Sequence, residues 1–306
     1  MKDKSAIGVI GLGWVGSSVA MSILRSGLAR ELLLHDVRTA VAEGEAMDLA
    51  HGAAFYTTAT VKAVSTDEML ATDALVVAAG RGGKPGESRL DLLRDNARIL
   101  RELGAKLRDY RGLVVVVTNP VDVLTYVLAE SSGLPPERVI GTGTMLDTAR
   151  LRQVLGEELR VEPHSVHAQV VGEHGDSEVV LWSSAHVGGT PLREWPGWSP
   201  DREQPIATEV RTAAYEIIKR KGATNHAIGL TTAALLRSAL RGERRVLTVS
   251  RVQSGALGLR DVALSLPTVV DVAGAVDVIA PKMDDGEREG LQRSADVLRK
   301  AIGSLR

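Results

Sequence analysis

Gly11-Leu12-Gly13-Trp14-Val15-Gly16 follows an apolar run at residues 6–10 and opens a segment in which Val15, Val19 and Ile23 recur at helical spacing. Glycines so spaced suit a strand that turns sharply into a helix beside a ligand. The first permits the turn, the second lets a pyrophosphate approach the backbone, and the third lets helix pack on strand. The N-terminus of that helix stabilises phosphate charge. Alone, the triplet is a weak signal. A second apolar run at 32–34, however, leads to Asp36, twenty residues beyond Gly16. A carboxylate there accepts from ribose hydroxyls and repels a 2′-phosphate, so NAD is expected over NADP, a preference that Arg38 softens. The expected cofactor-binding residues are Gly11, Gly13, Val15, Gly16 and Asp36, with Gly80 and Asn119 at the ends of later strands.

Those later strands are apolar runs at 74–79 and 113–118, separated by a helix marked by Leu93, Ala97, Leu100 and Leu107. Continuous apolar strands alternating with helices imply a parallel sheet covered on both faces. After about residue 143 the pattern changes. Short strands are expected at 170–171 and 179–182. Ile206, Val210, Ala213 and Ile217 define a long amphipathic helix stopped by Gly222. Residues 246–249 and the alternating Val262, Leu264 and Leu266 read as antiparallel strands, with a closing helix near the end. Residues 191–205, rich in Pro, Gly and Trp, read as a surface loop. The expectation is an α/β chain: a doubly wound parallel sheet over 1–143 that binds the dinucleotide, then a mixed α+β substrate domain over 144–306.

Oxidising a hydroxyl beside a carboxylate needs a proton acceptor, and histidine suits because its pKa lies near neutrality. It also needs a cation for the substrate carboxylate, where arginine binds bidentately, and a second to stabilise charge developing on the carbonyl. Of seven histidines, His174 stands apart, set in Gly172-Glu-His-Gly-Asp176. Asp147 and Arg150 are three apart, so on a helix they face one side, as functional partners or as a plain surface ion pair. Arg89 ends a Gly/Pro-rich segment from Gly80, which reads as a lid or as a solvent loop.

Five segments together resemble the L-lactate/L-malate dehydrogenase family over nearly the whole chain, closest to its lactate type. They are Gly11–16, Pro85-Gly-Glu-Ser-Arg-Leu-Asp-Leu-Leu, Thr118-Asn-Pro-Val-Asp-Val-Leu-Thr, Gly141-Thr-Gly-Thr-Met-Leu-Asp-Thr-Ala-Arg and Gly172-Glu-His-Gly-Asp-Ser-Glu. The resemblance implies a Rossmann-type first half and an NAD-dependent L-2-hydroxyacid dehydrogenase. It implies His174 as acid/base, Asp147 as its partner, Arg150 on the carboxylate and Arg89 on the carbonyl. Asn119 would hydrogen-bond the substrate oxygen, and Thr224 would line the pocket. A homodimer or homotetramer is implied. At the position where lactate enzymes carry glutamine and malate enzymes arginine, this chain has Gly83. Arg81 is the nearby cation that could meet a second carboxylate. Glu87-Ser-Arg-Leu is lactate-like, so L-lactate is the expected substrate, with L-malate or a broad range of 2-hydroxy acids as alternatives. Arg152 and His167 match positions that bind fructose 1,6-bisphosphate in some bacterial lactate enzymes.

The remaining composition narrows the classes. A net charge of -1 provides no field for nucleic acid or a membrane surface, and no run reaches the length of a membrane span. There are no cysteines, hence no disulfide, thiolate catalysis or cysteine-held metal. An early first strand leaves no signal peptide expected, and the location read from this is cytoplasmic. A non-catalytic NAD(H)-binding protein would lack one of the groups above, and all are present. A metal hydrolase built on His164, His167 and His174 lacks a convincing ligand spacing on a helix, and no metal is expected.

Overall fold

The structure, a computed structural model, describes residues 5–83, 86 and 88–305. The first half runs β1 (Ser5–Ile10), α1 (Trp14–Ser26), β2 (Ala29–His35), α2 (Thr39–His51), β3 (Thr60–Ala63), β4 (Ala74–Val77), α3 (Arg89–Lys106), β5 (Leu113–Val116), α4 (Val121–Ser132) and β6 (Val139–Gly141). The second runs α5 (Met145–Leu159), β7 (Val166–His167), β8 (Val170–Val171), β9 (Val179–Val180), β10 (His186–Val187), β11 (Thr190–Pro191), α6 (Glu203–Lys221), α7 (His226–Arg241), β12 (Arg245–Ser254), β13 (Arg260–Asp271), β14 (Gly274–Val278) and α8 (Asp285–Gly303).

Strands β3, β2, β1, β4, β5 and β6 lie in that order, all parallel. This is the order of the doubly wound dinucleotide fold, whose ligands sit beyond the carboxyl ends of the strands at the crossover between β1 and β4. Of the antiparallel strands of the second half, the short β7, β10 and β11 form a three-stranded sheet and β8 and β9 a two-stranded one, but the long β12, β13 and β14 form no separate sheet. They continue this one: β12 joins β6 through Ser250 and Gly141, and β13 and β14 follow outward. The described residues thus share a sheet of nine strands across residue 143.

Period-2 alternation sorts the side chains to its two faces. Leu75, Val77, Val114 and Val116 point to a core closed by α3, α4 and α8. Val76, Val115, Ile7 and Val9 point to one closed by α1 and α7, the latter from the second half of the chain. A third core, with Leu151, Leu155, Val166, Val180, Trp182 and Val210, belongs to the second half alone.

Three sequence expectations change. α3 begins at Arg89 because Ser88 caps it, its side chain accepting from the Asp91 amide at 3.1 Å. Residues 191–205 are not plain loop: two 3-10 turns form there, and half-buried Trp195 and Trp198 pack on the third core. The last turns of α6 stand clear of the fold, so Ile217 is exposed rather than buried.

Candidate active site

The glycine triplet sits where β1 feeds α1. Gly11 has φ +92°, and a Cβ there would lie 2.5 Å from the backbone of Ala79. A Cβ on Gly16 would collide with the Gly11 carbonyl. Gly13, by contrast, faces open space, with no atom within 4 Å of where its Cβ would be. The first turn of α1 carries no acidic residue, so its positive end is left for an anion. Val15 is half-buried in the same turn.

Asp36 is 7% exposed just beyond β2. Its Oδ2 accepts from the Leu12 amide at 2.9 Å and its Oδ1 from the Arg38 amide at 2.9 Å. Burial raises its pKa, but these amides and the Arg38 guanidinium, at 3.2 Å, hold it below the usual carboxylate value. Gly80 and Asn119 follow β4 and β5 on the same side of the sheet. Gly80 is packed on Thr118, and the exposed Asn119 accepts from the Val121 amide at 3.3 Å.

His174 lies in a loop fastened from three directions. Gly172 exchanges two backbone hydrogen bonds with Ser265 of β13, each 2.9 Å. The Glu173 amide donates to Ser294 of α8 at 2.7 Å. The His174 amide donates to Asp122 of α4, also at 2.7 Å. The start of α5 is stitched to the strand before this loop: Thr144 Oγ1 donates to the Val170 carbonyl at 2.6 Å, and the Val170 amide donates to Thr148 Oγ1 at 3.0 Å. Asp147, 2% exposed in the first turn of α5, is thereby aimed at the histidine. His174 Nδ1 lies 2.5 Å from Asp147 Oδ2. An ionised carboxylate only accepts, so Nδ1 carries the proton and Nε2 is left for chemistry. Arg150 Nη1 lies 2.8 Å from the other oxygen, Oδ1, with a side chain 13% exposed. The i,i+3 spacing is therefore a buried pair rather than a surface one.

Burial lowers the His174 pKa, yet the charge and hydrogen bond of Asp147, aided by Asp122, outweigh it and the repulsion of Arg150, holding the imidazole at about 9. Sequence reasoning missed two carboxylates. Asp122 is wholly buried and its pKa is pushed up to about 6. Glu178, 6% exposed, is pushed up to about 8 by burial and by Asp147. Both stand inside matched segments, but a carboxylate within a motif gives no sign of being buried.

Arg89 is exposed at the first position of α3, within electrostatic reach of Tyr215, whose hydroxyl donates to Asp176 in the histidine loop at 3.1 Å. Thr224 is half-buried in the α6–α7 connection, which docks on α1 where Asn225 donates to Ser18 at 2.8 Å. Gly83 has room for a side chain, its nearest neighbour being Leu92 Cδ2 at 3.4 Å. Arg81 is held on Asp95 of α3, with Nε and Nη2 at 2.8 and 2.6 Å from Oδ2. Lys84, Pro85 and Glu87, which anchor the alignment of this loop, lie outside the described residues.

His167 lies in β7, and Arg152 of α5 reaches the residue that follows it. Arg152 Nε donates to the Ala168 carbonyl at 3.1 Å, and His167 stacks on His186 with centroids 4.9 Å apart. His164 pairs with Glu162 at 2.9 Å. The three histidines considered for a metal thus go to separate partners, and no metal-holding cluster occurs among the described residues.

Residues 5–141 match the family described as lactate/malate dehydrogenase, NAD binding domain, and residues 144–305 match its alpha/beta C-terminal domain. The chain is 44% identical to an L-lactate dehydrogenase of Synechococcus sp., over 97% of this chain and 98% of that one. It is 42% identical to an L-lactate dehydrogenase of Thermus aquaticus, over 98% and 99%. Among solved structures, the minor L-lactate dehydrogenase of Enterococcus mundtii superimposes with a TM-score of 0.96 at 38% identity, over 100% and 99% of the two chains.

Proposed function

The chain belongs to the lactate/malate dehydrogenase family, and on that premise we propose that it interconverts L-lactate and pyruvate with NAD and NADH. It is an NAD-dependent oxidoreductase acting on the CH–OH group of a 2-hydroxy acid. The observation that carries the site assignment is one buried carboxylate, Asp147, gripping His174 at 2.5 Å and Arg150 at 2.8 Å.

The glycine turn fits the cofactor: Gly13 is open, the first turn of α1 carries no acidic residue of its own, and Asp36 is ionised and fixed on the Leu12 amide just before it. Gly11, Gly13, Val15 and Gly16 would hold the pyrophosphate, Asp36 the ribose, and Gly80 and Asn119 the far end. When bound, NADH supplies the hydride. The chain's own groups do the rest. Arg150 binds the substrate carboxylate in ground state and transition state alike. Arg89 and Asn119 stabilise charge on the carbonyl oxygen as it develops. His174 delivers its Nε2 proton to that oxygen and removes it in the reverse direction, and Asp147 fixes the tautomer and stabilises the imidazolium. Thr224 and Gly83 line the substrate side. We assign nucleotide binding to residues 1–143 and substrate handling to 144–306.

Malate is the second reading, since Gly83 imposes no side chain that would exclude a larger acid. The deciding experiment is NADH oxidation with pyruvate, oxaloacetate and 2-oxobutyrate side by side. Pyruvate should have the highest kcat/KM, and a clear preference for oxaloacetate would replace lactate by malate.

We also infer a homodimer or homotetramer. Trp14 and Met21 of α1 and Leu230 of α7 are 66%, 48% and 67% exposed, large apolar side chains that a second copy would cover, on a face that also carries the charged Arg25, Glu45 and Asp48. Sedimentation would show the assembly. No helix among the described residues is long and apolar enough to cross a membrane, and a cytoplasmic location is our reading. Activation by fructose 1,6-bisphosphate through Arg152 and His167 is tested by adding it to the assay.

A further inference from the structure

Two buried carboxylates beside His174, Asp122 and Glu178, have no part in the chemistry above. Asp122 touches the histidine directly. It is 1% exposed, and its Oδ2 accepts from the His174 amide at 2.7 Å. It lies in the first turn of α4, three residues beyond Asn119, whose side chain accepts from the Val121 amide in that same turn. The first turn of α4 therefore carries the anchor of the histidine loop and, through the Val121 amide, fastens the side chain of Asn119 in the loop just before it.

The electrostatics agree with the contact. The charge of Asp122 favours the imidazolium of His174. Its Oδ1 is buried without a hydrogen-bond partner of ordinary geometry, and so is Ser250 Oγ of β12, which is near enough to favour the ionised carboxylate. The charged groups around His174 among the described residues include Asp147 and Arg150 of α5, Asp122 of α4, and Glu173, Asp176 and Glu178 of its own loop, with Arg211 of α6 beside Glu178. The nearby groups of β12, β13 and α8 are the neutral hydroxyls of Ser250, Ser265 and Ser294.

We propose that Asp122 is a positioning residue of the dehydrogenase: it fixes His174 against the first turn of α4 and sets a second negative charge beside the one that Asp147 supplies. This rests on His174 being the acid/base.

The test is Asp122→Asn, which keeps the shape and an acceptor for the amide while removing the charge. In the pyruvate direction kcat/KM falls where His174 loses its proton, and in Asp122→Asn this limb should move to lower pH by about one unit, the low end of what an opposite charge within 4–6 Å does. A purely structural residue would lower activity at every pH and leave the limb in place, and that result overturns the proposal. Should the variant not fold, the unmodified protein still decides. The His174 amide, followed by NMR hydrogen exchange, should be protected by its bond to Asp122, and exchange at the rate of an open loop amide overturns the proposal equally. Failure of the underlying reading looks different: His174→Asn would then keep near-normal turnover.

Discussion

Arg150 and His174 are held by opposite oxygens of one buried carboxylate, at 2.8 and 2.5 Å. The cation that would bind substrate and the group that would move its proton therefore cannot shift independently. Asp147→Asn should damage both functions, lowering kcat by at least about 10²-fold, within the range for acid–base catalysis, and raising KM. It should also lower stability, because Arg150 would keep a buried charge with a neutral partner. Steady-state kinetics and thermal melts check this, and a change in kcat alone would uncouple the two roles.

The pH dependence follows from His174. Its folded pKa, about 9, stands above the ordinary 6.5. Reduction of pyruvate needs the imidazolium, so kcat/KM should be flat below that value and fall as pH rises through it, while lactate oxidation rises. The same shift stabilises the fold fully below pH 6.5, and that stability is lost as pH climbs through about 9. The raised Glu178 adds a cost that begins at pH 4.5 and grows until about pH 8, so it overlaps the first part of that rise, since its ionised form is disfavoured in the folded state. The melting temperature should therefore decline from pH 6.5 to 9, and an increase would contradict the assignment.

Asp36 has two jobs in this geometry. It would repel a 2′-phosphate, and it fixes the glycine turn through the Leu12 amide. Asp36→Ala should erode the preference for NAD over NADP and weaken binding of both. Fluorescence titration with NADH and NADPH measures the two effects separately. Equal kcat/KM for both cofactors in the unmodified protein would remove Asp36 from specificity.

Arg150 and Arg89 should separate kinetically. Arg150→Lys loses the bidentate fork and should chiefly raise KM. Arg89→Gln removes charge that matters as the carbonyl oxygen becomes negative, and should chiefly lower kcat. The reverse pattern would exchange the roles.

At Gly83, pyruvate should beat oxaloacetate in kcat/KM, because a buried second carboxylate would lack a cation there. Arg81 does not fill the gap as it stands, since its guanidinium is already on Asp95. Gly83→Arg has room to be accommodated and should move preference toward oxaloacetate by about tenfold or more, as a new charge-assisted pair contributes a few kcal/mol. An unchanged substrate ratio would place position 83 away from the substrate.

Strands on the first half of the sheet are readable because they are buried on both faces and hence uniformly apolar: Ala74–Val77 and Leu113–Val116 have no other use for such runs. β3 is not readable, since Thr60–Ala63 is a short edge strand with half its residues exposed. α4 is hidden for the opposite reason. It is buried nearly all round, so Val121, Val123, Leu124 and Val127 mark no single face. The pairing of β12 with β6 depends on Ser250 meeting Gly141, a contact between residues more than a hundred apart that no local pattern encodes. In the site, the histidine, its arginine and its aspartate are legible from residue type and spacing. Their burial is not, and burial is what makes Asp147 a junction and brings Asp122 and Glu178 into play.

The sheet that runs without a break from β3 to β14 also decides what happens if the chain is cut at residue 143. The first half, expressed alone, would leave β6 with a bare row of amides and carbonyls and would strip α7 from Val19 and Ile23 of α1. A raw edge and an uncovered apolar face invite self-association. Despite its familiar strand order, residues 1–143 should emerge as an aggregate and not as a free-standing nucleotide carrier.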